Sequence, residues 1–122
     1  MINEKELLLT NLKEIADSIA VTLGKNGEVC IHDLSDMHNS LIYIAGNVTG
    51  RSIGAPATDL LVRAVHGGKS AEQLRCYRST SPDGRILKCT TSLIKDSSGI
   101  PVAALCINMD TTDFFTAMQA LA

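Results

Sequence analysis

Three strand-like segments follow one another in RCYRSTSPDGRILKCTTSLIKDSSGIPVAALCINMD, residues 75–110, with no helical segment between them. Turn residues separate the segments: Pro82-Asp83-Gly84 lies in the first connection, and Asp96 to Pro101 form the second. Such turns join neighbouring antiparallel strands. The pattern therefore predicts three antiparallel strands, at Arg75–Ser81, Arg85–Lys95 and Val102–Met109.

Two further strands are predicted before this region, at Glu28–Leu34 and Leu41–Ala45, with the polar stretch Ser35–Asn39 between them. Together with the three later strands they make a five-stranded antiparallel sheet. Helical segments lie before, between and after the strand groups rather than alternating with single strands, which is typical of the α+β class.

The middle of the chain is rich in loop and short helical segments. Residues 46–59 contain three glycines, one proline and two threonines, which predicts a loop. A short helix is predicted through Leu60–Val65, with its end at Gly67, and Ser70 with Gln73 predicts one more helical turn.

The N-terminal segment has the pattern of a long amphipathic helix. Asn3 and Glu6 have the spacing of a capping box, and the pattern ends at Gly24. Apolar residues recur between these ends, at Leu8, Leu12, Ile15, Ile19 and Leu23. We predict a helix of about 20 residues whose apolar stripe covers the sheet of its own subunit or contacts a partner subunit.

The composition limits the domain count and the class of partner. The chain has 122 residues, of which 45% are hydrophobic and 3% aromatic, and this predicts one domain with an aliphatic core. The formal net charge is -2 and no Lys/Arg cluster is present. Because binding to phosphates needs several cations on one face, we expect no DNA binding by this chain alone.

The cysteines and the N-terminus indicate the cellular compartment. Cys30, Cys76, Cys89 and Cys106 form no C-x-x-C motif, and no histidine lies three to five residues from another, so no metal site is predicted. The first residues lack the layout of a secretory signal, and no apolar run reaches the ~18 residues of a membrane span. We therefore predict a cytoplasmic protein with free thiols and no membrane partner.

The strand pattern predicts a hollow on one face of the sheet. Alternation along the strands puts small or polar side chains on one side: Cys30, His32, Cys89, Thr91, Cys106 and Asn108. Large side chains do not fill such a face, which leaves room for a small molecule beneath the middle segment. The alternative is that these are hydrogen-bonded core residues, and the pattern alone leaves both possibilities open.

Four motifs follow one another along the chain: His32-Asp33-Leu34, Thr49-Gly50-Arg51-x-x-Gly54-x-Pro56-x-Thr58-Asp59-Leu60, Asp83-Gly84-Arg85-Ile86-Leu87-Lys88 and Ala104-Leu105-Cys106-Ile107-Asn108. Together they resemble the YheO-like PAS domain of bacterial helix-turn-helix transcriptional regulators, over Glu4–Asp113. The resemblance implies a PAS-like five-stranded sheet with short helices on one face and an N-terminal helix. It also implies a helix-turn-helix segment after the domain. This chain ends at Ala122 without one, so we expect a sensor fragment that reaches DNA only through that absent segment.

The resemblance also implies which side chains face the cavity. In PAS domains the residue two before the acidic residue of the closing D-x-T often faces inward, and here that residue is Asn108, with Cys106 on the same side. By the same resemblance His32, Tyr77 and Ser79 face inward. The family implies no single cofactor, so the cofactor is left unnamed.

Arg51 completes the predicted ligand site. It lies in a glycine-flanked loop and could hold an anionic ligand with two hydrogen bonds, or it could instead bond loop carbonyls or Asp59. His32 likewise could contact a ligand or be a hydrogen-bonded core residue. The predicted ligand-binding residues are Cys30, His32, Arg51, Tyr77, Cys89, Thr91, Cys106 and Asn108.

These patterns predict a non-catalytic, ligand-sensing domain of a transcriptional regulator. Residues 1–24 form the N-terminal helix, residues 25–113 the sensor domain and residues 114–122 the start of a connecting helix. We expect a homodimer through the N-terminal helix, with packing inside one subunit as the alternative.

A thiol-based redox sensor or a small cysteine-dependent enzyme is the alternative function. Cys30 and His32 lie two residues apart on one strand and could form a nucleophilic pair. Against this, no third orienting group or set of oxyanion donors is recognisable, and buried cysteines react slowly. Haem binding through His32 or His66 would need a large apolar pocket that the sequence does not indicate.

Overall fold

The computed structural model describes residues 2–67 and 72–122. Within these ranges the chain forms three α-helices and five strands: α1 Glu4–Leu23, β1 Gly27–Asp33, β2 Leu41–Gly46, α2 Asp59–Val65, β3 Tyr77–Thr80, β4 Ile86–Lys95, β5 Pro101–Asp110 and α3 Thr112–Leu121. Short 3-10 turns occupy Gly24–Asn26 and Glu72–Leu74.

The five strands form one antiparallel sheet in the order β2-β1-β5-β4-β3. Three of the strand pairs join neighbours in the sequence, whereas β1 pairs with β5 across most of the chain, with Cys30 opposite Cys106. The predicted α+β fold with a five-stranded antiparallel sheet is therefore confirmed.

α1 begins and ends where the sequence predicts. Asn3 Oδ1 accepts a hydrogen bond of 2.8 Å from the Glu6 N–H, and the Glu6 carboxylate accepts one from the Asn3 N–H, so the capping box is complete. The helix stops at Gly24. Gly27 then lets β1 pass close beneath the helix, since a Cβ at that position would lie 2.2 Å from the Cβ of Leu23.

α1 covers one face of its own sheet. The buried cluster between them consists of Leu12, Ala16, Val29, Ile31, Ala103 and Leu105. The buried side of the helix is centred on Leu12 and Ala16, with Leu9 and Ile19 packed beside them, so Ile15 of the predicted stripe remains 47% exposed. The helix therefore packs within the subunit, and its outer side is the part left for other contacts.

β3 is shorter than the sequence predicts, because it begins at Tyr77 rather than Arg75. Cys76 has a φ of 50°, a left-handed backbone conformation that an extended strand cannot contain. Its N–H donates instead to Thr90 Oγ1 at 3.0 Å. The other four strands agree with the prediction within one residue at each end. Of the helical turn predicted at Ser70 and Gln73, Ser70 lies outside the described residues, and Gln73 lies in the 3-10 turn Glu72–Leu74.

The two shorter helices follow β2 and β5 in the chain. α2 is capped by Thr58, whose Oγ1 accepts a hydrogen bond of 3.2 Å from the Leu61 N–H. α3 begins at Thr112, before the predicted start at Phe114, and all of its residues are exposed. Within the described part of the chain, no helix has both the length and the apolar character needed to cross a membrane.

We expect Leu12→Ala to lower the free energy of unfolding by about 2–5 kcal/mol, because it leaves a cavity between α1 and the sheet. Leu121→Ala is the matched control, since that side chain is 88% exposed, and it should change the same quantity by no more than about 0.5 kcal/mol. Urea denaturation followed by circular dichroism measures both variants. Equal losses would contradict the packing of α1 on its own sheet.

Candidate functional site

A cavity of about 320 Å³ lies on the face of the sheet opposite α1. Strand residues form one wall and the loop-helix segment 49–60 forms the other. The lining residues are His32, Thr49, Arg51, Thr58, Leu60, Tyr77, Ser79, Thr80, Pro82, Leu87, Cys89, Thr91, Cys106 and Asn108.

A second hollow, of about 410 Å³, opens between α2 and the far ends of β4 and β5. Its wall includes Gly67, next to the undescribed residues 68–71, and only Thr91 of the predicted site residues. Although this hollow is larger, the polar and titratable side chains are concentrated in the first cavity, which we take as the candidate site.

Strand alternation and register determine which residues reach the cavity. Ile31 packs against α1, so its neighbours along β1 face the opposite side of the sheet. The pairing of β1 with β5 puts Cys30 opposite Cys106, and the pairing of β5 with β4 puts Asn108 opposite Cys89. The small and polar members of three adjacent strands therefore share one face.

Seven of the eight predicted ligand-binding residues line this cavity: His32, Arg51, Tyr77, Cys89, Thr91, Cys106 and Asn108. Ser79, which the resemblance implies to face inward, lines it too. Cys30 does not. It has the correct strand phase, but it is only 1% exposed and its Sγ lies 3.6 Å from Glu28 Oε2, outside the lining.

Six lining residues were not predicted from the sequence: Thr49, Thr58, Leu60, Thr80, Pro82 and Leu87. Four of these could have been predicted. The motif that contains Arg51 also contains Thr49, Thr58 and Leu60, and strand alternation puts Leu87 on the same face as Cys89. Thr80 is the last residue of β3 and has the opposite strand phase to Tyr77 and Ser79, so alternation would have placed it on the other face. Pro82 lies in the turn between β3 and β4, where alternation does not apply.

Glu28 holds the loop above the cavity, a role that the strand pattern does not predict. Its carboxylate is 1% exposed and accepts hydrogen bonds from the N–H groups of Val48 and Thr49 at 2.9 Å each, from the Thr49 hydroxyl and from Asn108 Nδ2 at 2.9 Å. Burial raises the pKa of Glu28, but these donors outweigh burial and hold its pKa below the ordinary value. A charged carboxylate is thus stable beneath the loop.

Gly46 allows the loop to reach Glu28. It has a φ of 92°, and a Cβ there would lie 2.3 Å from the carbonyl oxygen of Gly27. No other residue type fits so close an approach with this backbone conformation. The chain therefore turns at the end of β2 directly over the start of β1, which brings the amides of Val48 and Thr49 to the carboxylate.

His32 is a neutral hydrogen-bonding group in the cavity wall. Its Nδ1 lies 2.7 Å from the Oγ of Ser40, which is itself fully buried. Burial, with a smaller effect from the positive charge of Arg51, lowers the pKa of His32 to about 4. The imidazole is therefore uncharged at neutral pH.

Arg51 lies half-buried in the cavity wall that faces the sheet. Its Nη2 donates a hydrogen bond to the carbonyl of Pro56, so it bonds a loop carbonyl rather than Asp59. The ion pairs found among the described side chains do not include Arg51.

The thiols on the cavity face are poor nucleophiles. Burial raises the pKa of Cys89 to about 11 and also raises the pKa values of Cys30 and Cys106. His32 bonds Ser40 through Nδ1 and Cys30 lies against Glu28, so these contacts do not pair Cys30 with His32. In residues 2–67 and 72–122, no three His, Cys, Asp or Glu side chains are grouped so as to hold a metal ion.

A second set of polar contacts joins the same loop to α3. Arg85 donates through Nη2 to the carbonyl of Val48 and through Nη1 to Asp110 Oδ2, the latter at 2.6 Å. Asp110 Oδ1 in turn accepts from the N–H and the hydroxyl of Thr112, the first residue of α3, at 2.9 and 2.6 Å. The loop over the cavity is therefore connected through two side chains to the start of the last helix.

Comparison with known proteins agrees with this architecture. The model of the YheO-like PAS domain family matches residues 3–122. The protein YheO of Escherichia coli (strain K12) is 34% identical over 106 residues, which cover 84% of this chain and 44% of that protein. Transcriptional regulator DauR of Pseudomonas aeruginosa is 32% identical over 113 residues, which cover 93% of this chain and 52% of DauR. The chain thus spans about half the length of these curated relatives.

A solved structure shares the fold at low sequence identity. An RNA-binding light-oxygen-voltage receptor superimposes with a TM-score of 0.50 and 14% identity, over 94% of this chain and 36% of that one. At this identity the likeness concerns the fold alone.

We expect stability to fall as the pH is lowered from 6.5 to about 4. The pKa of His32 is about 4 in the folded protein against 6.5 ordinarily, so the unfolded chain takes up the proton first. The contribution of the neutral His32 imidazole to the free energy of unfolding is complete above pH 6.5. It is lost by the time the pH reaches the folded pKa of about 4, which lowers that free energy by about 3 kcal/mol. Urea denaturation at stepped pH values measures it.

His32→Gln should flatten this pH dependence. His38→Gln, a change at an exposed histidine, is the control and should keep the slope of the parent protein. A His32→Gln variant with an unchanged slope would show that the buried imidazole is not its source.

Proposed function

The chain belongs to the YheO-like PAS domain family, and we propose that it is the ligand-sensing and dimerising domain of a bacterial transcriptional regulator, without catalysis of its own. The observation that carries the proposal is the cavity of about 320 Å³ and its polar wall. Small-molecule sites are built as such concave spaces with a few convergent polar groups. The relative DauR, by its name a transcriptional regulator, supports the regulatory role.

The chemistry of the wall supports binding rather than catalysis. His32 is held neutral, and burial raises the pKa of Tyr77 to about 12 and that of Cys89 to about 11. Side chains held in these states donate and accept hydrogen bonds, but they do not exchange protons readily at neutral pH. A thiol-dependent function has less support, because it needs an activated cysteine.

The contacts around Arg85 suggest how binding would reach the rest of a regulator. A molecule in the cavity touches Thr49 and Arg51, which lie next to Val48 in the chain. Val48 contacts Arg85, and through Asp110 this connects to the start of α3. A ligand that favours one position of the loop would thereby bias α3 by a shift of population between two arrangements.

In this proposal DNA is contacted by a helix-turn-helix segment outside this chain, and α3 leads the signal toward it. The formal net charge of -2 agrees with DNA binding by another segment rather than by this chain, since DNA-binding surfaces are basic. The regulator would act in the cytoplasm, where its thiols stay reduced.

Filling the cavity should abolish ligand binding while the fold survives. Cys106→Phe places a ring where a small side chain faces open space, so it should cost less than the about 1–3 kcal/mol of an overpacked core. Cys76→Phe is the matched control at an exposed cysteine outside the cavity lining. Native mass spectrometry of freshly purified protein should detect a bound small molecule in the parent and the control, and none in Cys106→Phe. An empty parent protein, together with a larger loss of stability in Cys106→Phe, would contradict ligand sensing.

A homodimer through the outer side of α1 is the second part of the proposal. That side carries Leu7 and Ile15, which are 49% and 47% exposed. Changing both to Glu should give monomers with the fold intact, because neither side chain belongs to the buried cluster. Sedimentation velocity measures the change. The comparison variant carries Phe114→Glu and Met118→Glu on α3, and a dimer lost only there would assign the interface to α3 instead.

A further inference from the structure

We infer that the molecule held in this cavity is a small organic acid whose single carboxylate pairs with the guanidinium of Arg51. This inference rests on the ligand-sensing function proposed above and gives its ligand a chemical class. Three features of the cavity carry it: the charge of Arg51, the uncharged character of the remaining wall, and the volume.

Arg51 is a cation that lines the cavity without a carboxylate partner among the described side chains. Among the described residues, the guanidinium makes one hydrogen bond to the protein, from Nη2 to the Pro56 carbonyl. A guanidinium has five N–H donors arranged in a planar fork, which matches the two oxygens of a carboxylate. Most of that donor capacity is therefore available to a molecule in the cavity.

Glu28 cannot take the place of such a ligand. Its two oxygens already accept hydrogen bonds from Val48, Thr49 and Asn108, and it lies outside the cavity lining. The Glu28 carboxylate is thus committed to holding the loop, and the charge of Arg51 is left for an incoming anion.

The rest of the wall offers hydrogen bonds but no second positive charge. Its polar members are neutral: His32, Thr49, Thr58, Tyr77, Ser79, Thr80, Thr91 and Asn108. A dianion such as a phosphate monoester would keep uncompensated negative charge close to the buried Glu28, which Thr49 and Asn108 link to the cavity wall. One carboxylate balances Arg51, and hydroxyl, oxo or amide groups on the remainder of the ligand would meet the neutral side chains.

The volume limits the size of the ligand. At about 30 Å³ for each water molecule, a space of about 320 Å³ corresponds to on the order of ten water-sized groups. A metabolite of about ten non-hydrogen atoms fits, and the carboxylate accounts for one carbon and two oxygens of these.

The experiment is equilibrium dialysis of the purified chain against a bacterial metabolite extract, with mass-spectrometric identification of the compounds enriched on the protein side. It is carried out with the parent chain, Arg51→Gln, Arg51→Lys and the control Arg63→Gln, an exposed arginine of α2 outside the cavity lining. The compound that is enriched is then titrated alone, beside its primary amide and beside inorganic phosphate.

We expect the parent chain and Arg63→Gln to enrich the same carboxylic acid, and its amide and phosphate to bind far more weakly. Arg51→Gln should weaken binding of that acid by about tenfold to a hundredfold, as expected for lost hydrogen bonds to a charged group. Arg51→Lys should retain part of the affinity, because it keeps the charge but not the fork. Thermal melts of the unliganded variants establish that the fold is retained.

Other outcomes separate the two levels of the proposal. Enrichment of neutral compounds, cations or phosphate esters by the parent chain, or equal affinity in Arg51→Gln, would overturn the carboxylate assignment and leave ligand sensing intact. The identity of the compound enriched by the parent decides this even if Arg51→Gln does not fold. No enrichment by the parent chain would overturn ligand sensing itself, and the carboxylate assignment with it.

Discussion

The pairing of β1 with β5 is the interaction on which the rest of the structure depends. It joins the first strand to the last and closes most of the chain into a loop, at a cost in chain entropy that only the assembled sheet repays. Its register puts Cys30 opposite Cys106. Because side chains alternate along a strand, a slip of one residue would turn the polar face toward α1 and the aliphatic face toward the cavity. The two unlike faces therefore disfavour a one-residue slip of this pairing.

The two faces of the sheet are stabilised in different ways. The face beneath α1 is a dry aliphatic layer around Ile31 and Leu105, where burial of apolar surface provides the driving force. The other face contains a buried charge, Glu28, which is tolerable only because loop amides and Asn108 satisfy it. The loop over the cavity is thus held by these hydrogen bonds together with the packing of Val48 against Leu87 and Cys89. A sensing role is compatible with this division: one face keeps the fold, and the other leaves room for a ligand.

Two carboxylates at opposite sides of the loop link the cavity to the end of the domain. Glu28 holds the amides of Val48 and Thr49 from beneath, while Asp110 acts through Arg85, which bonds the carbonyl of the same Val48. Residues on both sides of one peptide segment are therefore coupled by charge-assisted hydrogen bonds, which are stronger than neutral ones. A displacement of this segment would move Arg85 and Asp110 and so change the contacts of Thr112 at the start of α3. The aliphatic layer under α1 takes no part in these contacts.

Local patterns in the sequence determined the strands, the capped helix α1 and the polar phase that brings His32, Cys106 and Asn108 to one face, because alternation and capping are properties of single segments. Only the tertiary structure decided the surroundings of Glu28 and Cys30. Both residues share the strand phase of His32. Glu28 is nevertheless buried under the loop, and Cys30 lies against Glu28, outside the cavity lining. Segments far away in the chain determine what occupies the space above a strand, as Val48 and Asn108 do above Glu28. The residue pattern of a single strand cannot predict these contacts, because it depends only on that strand.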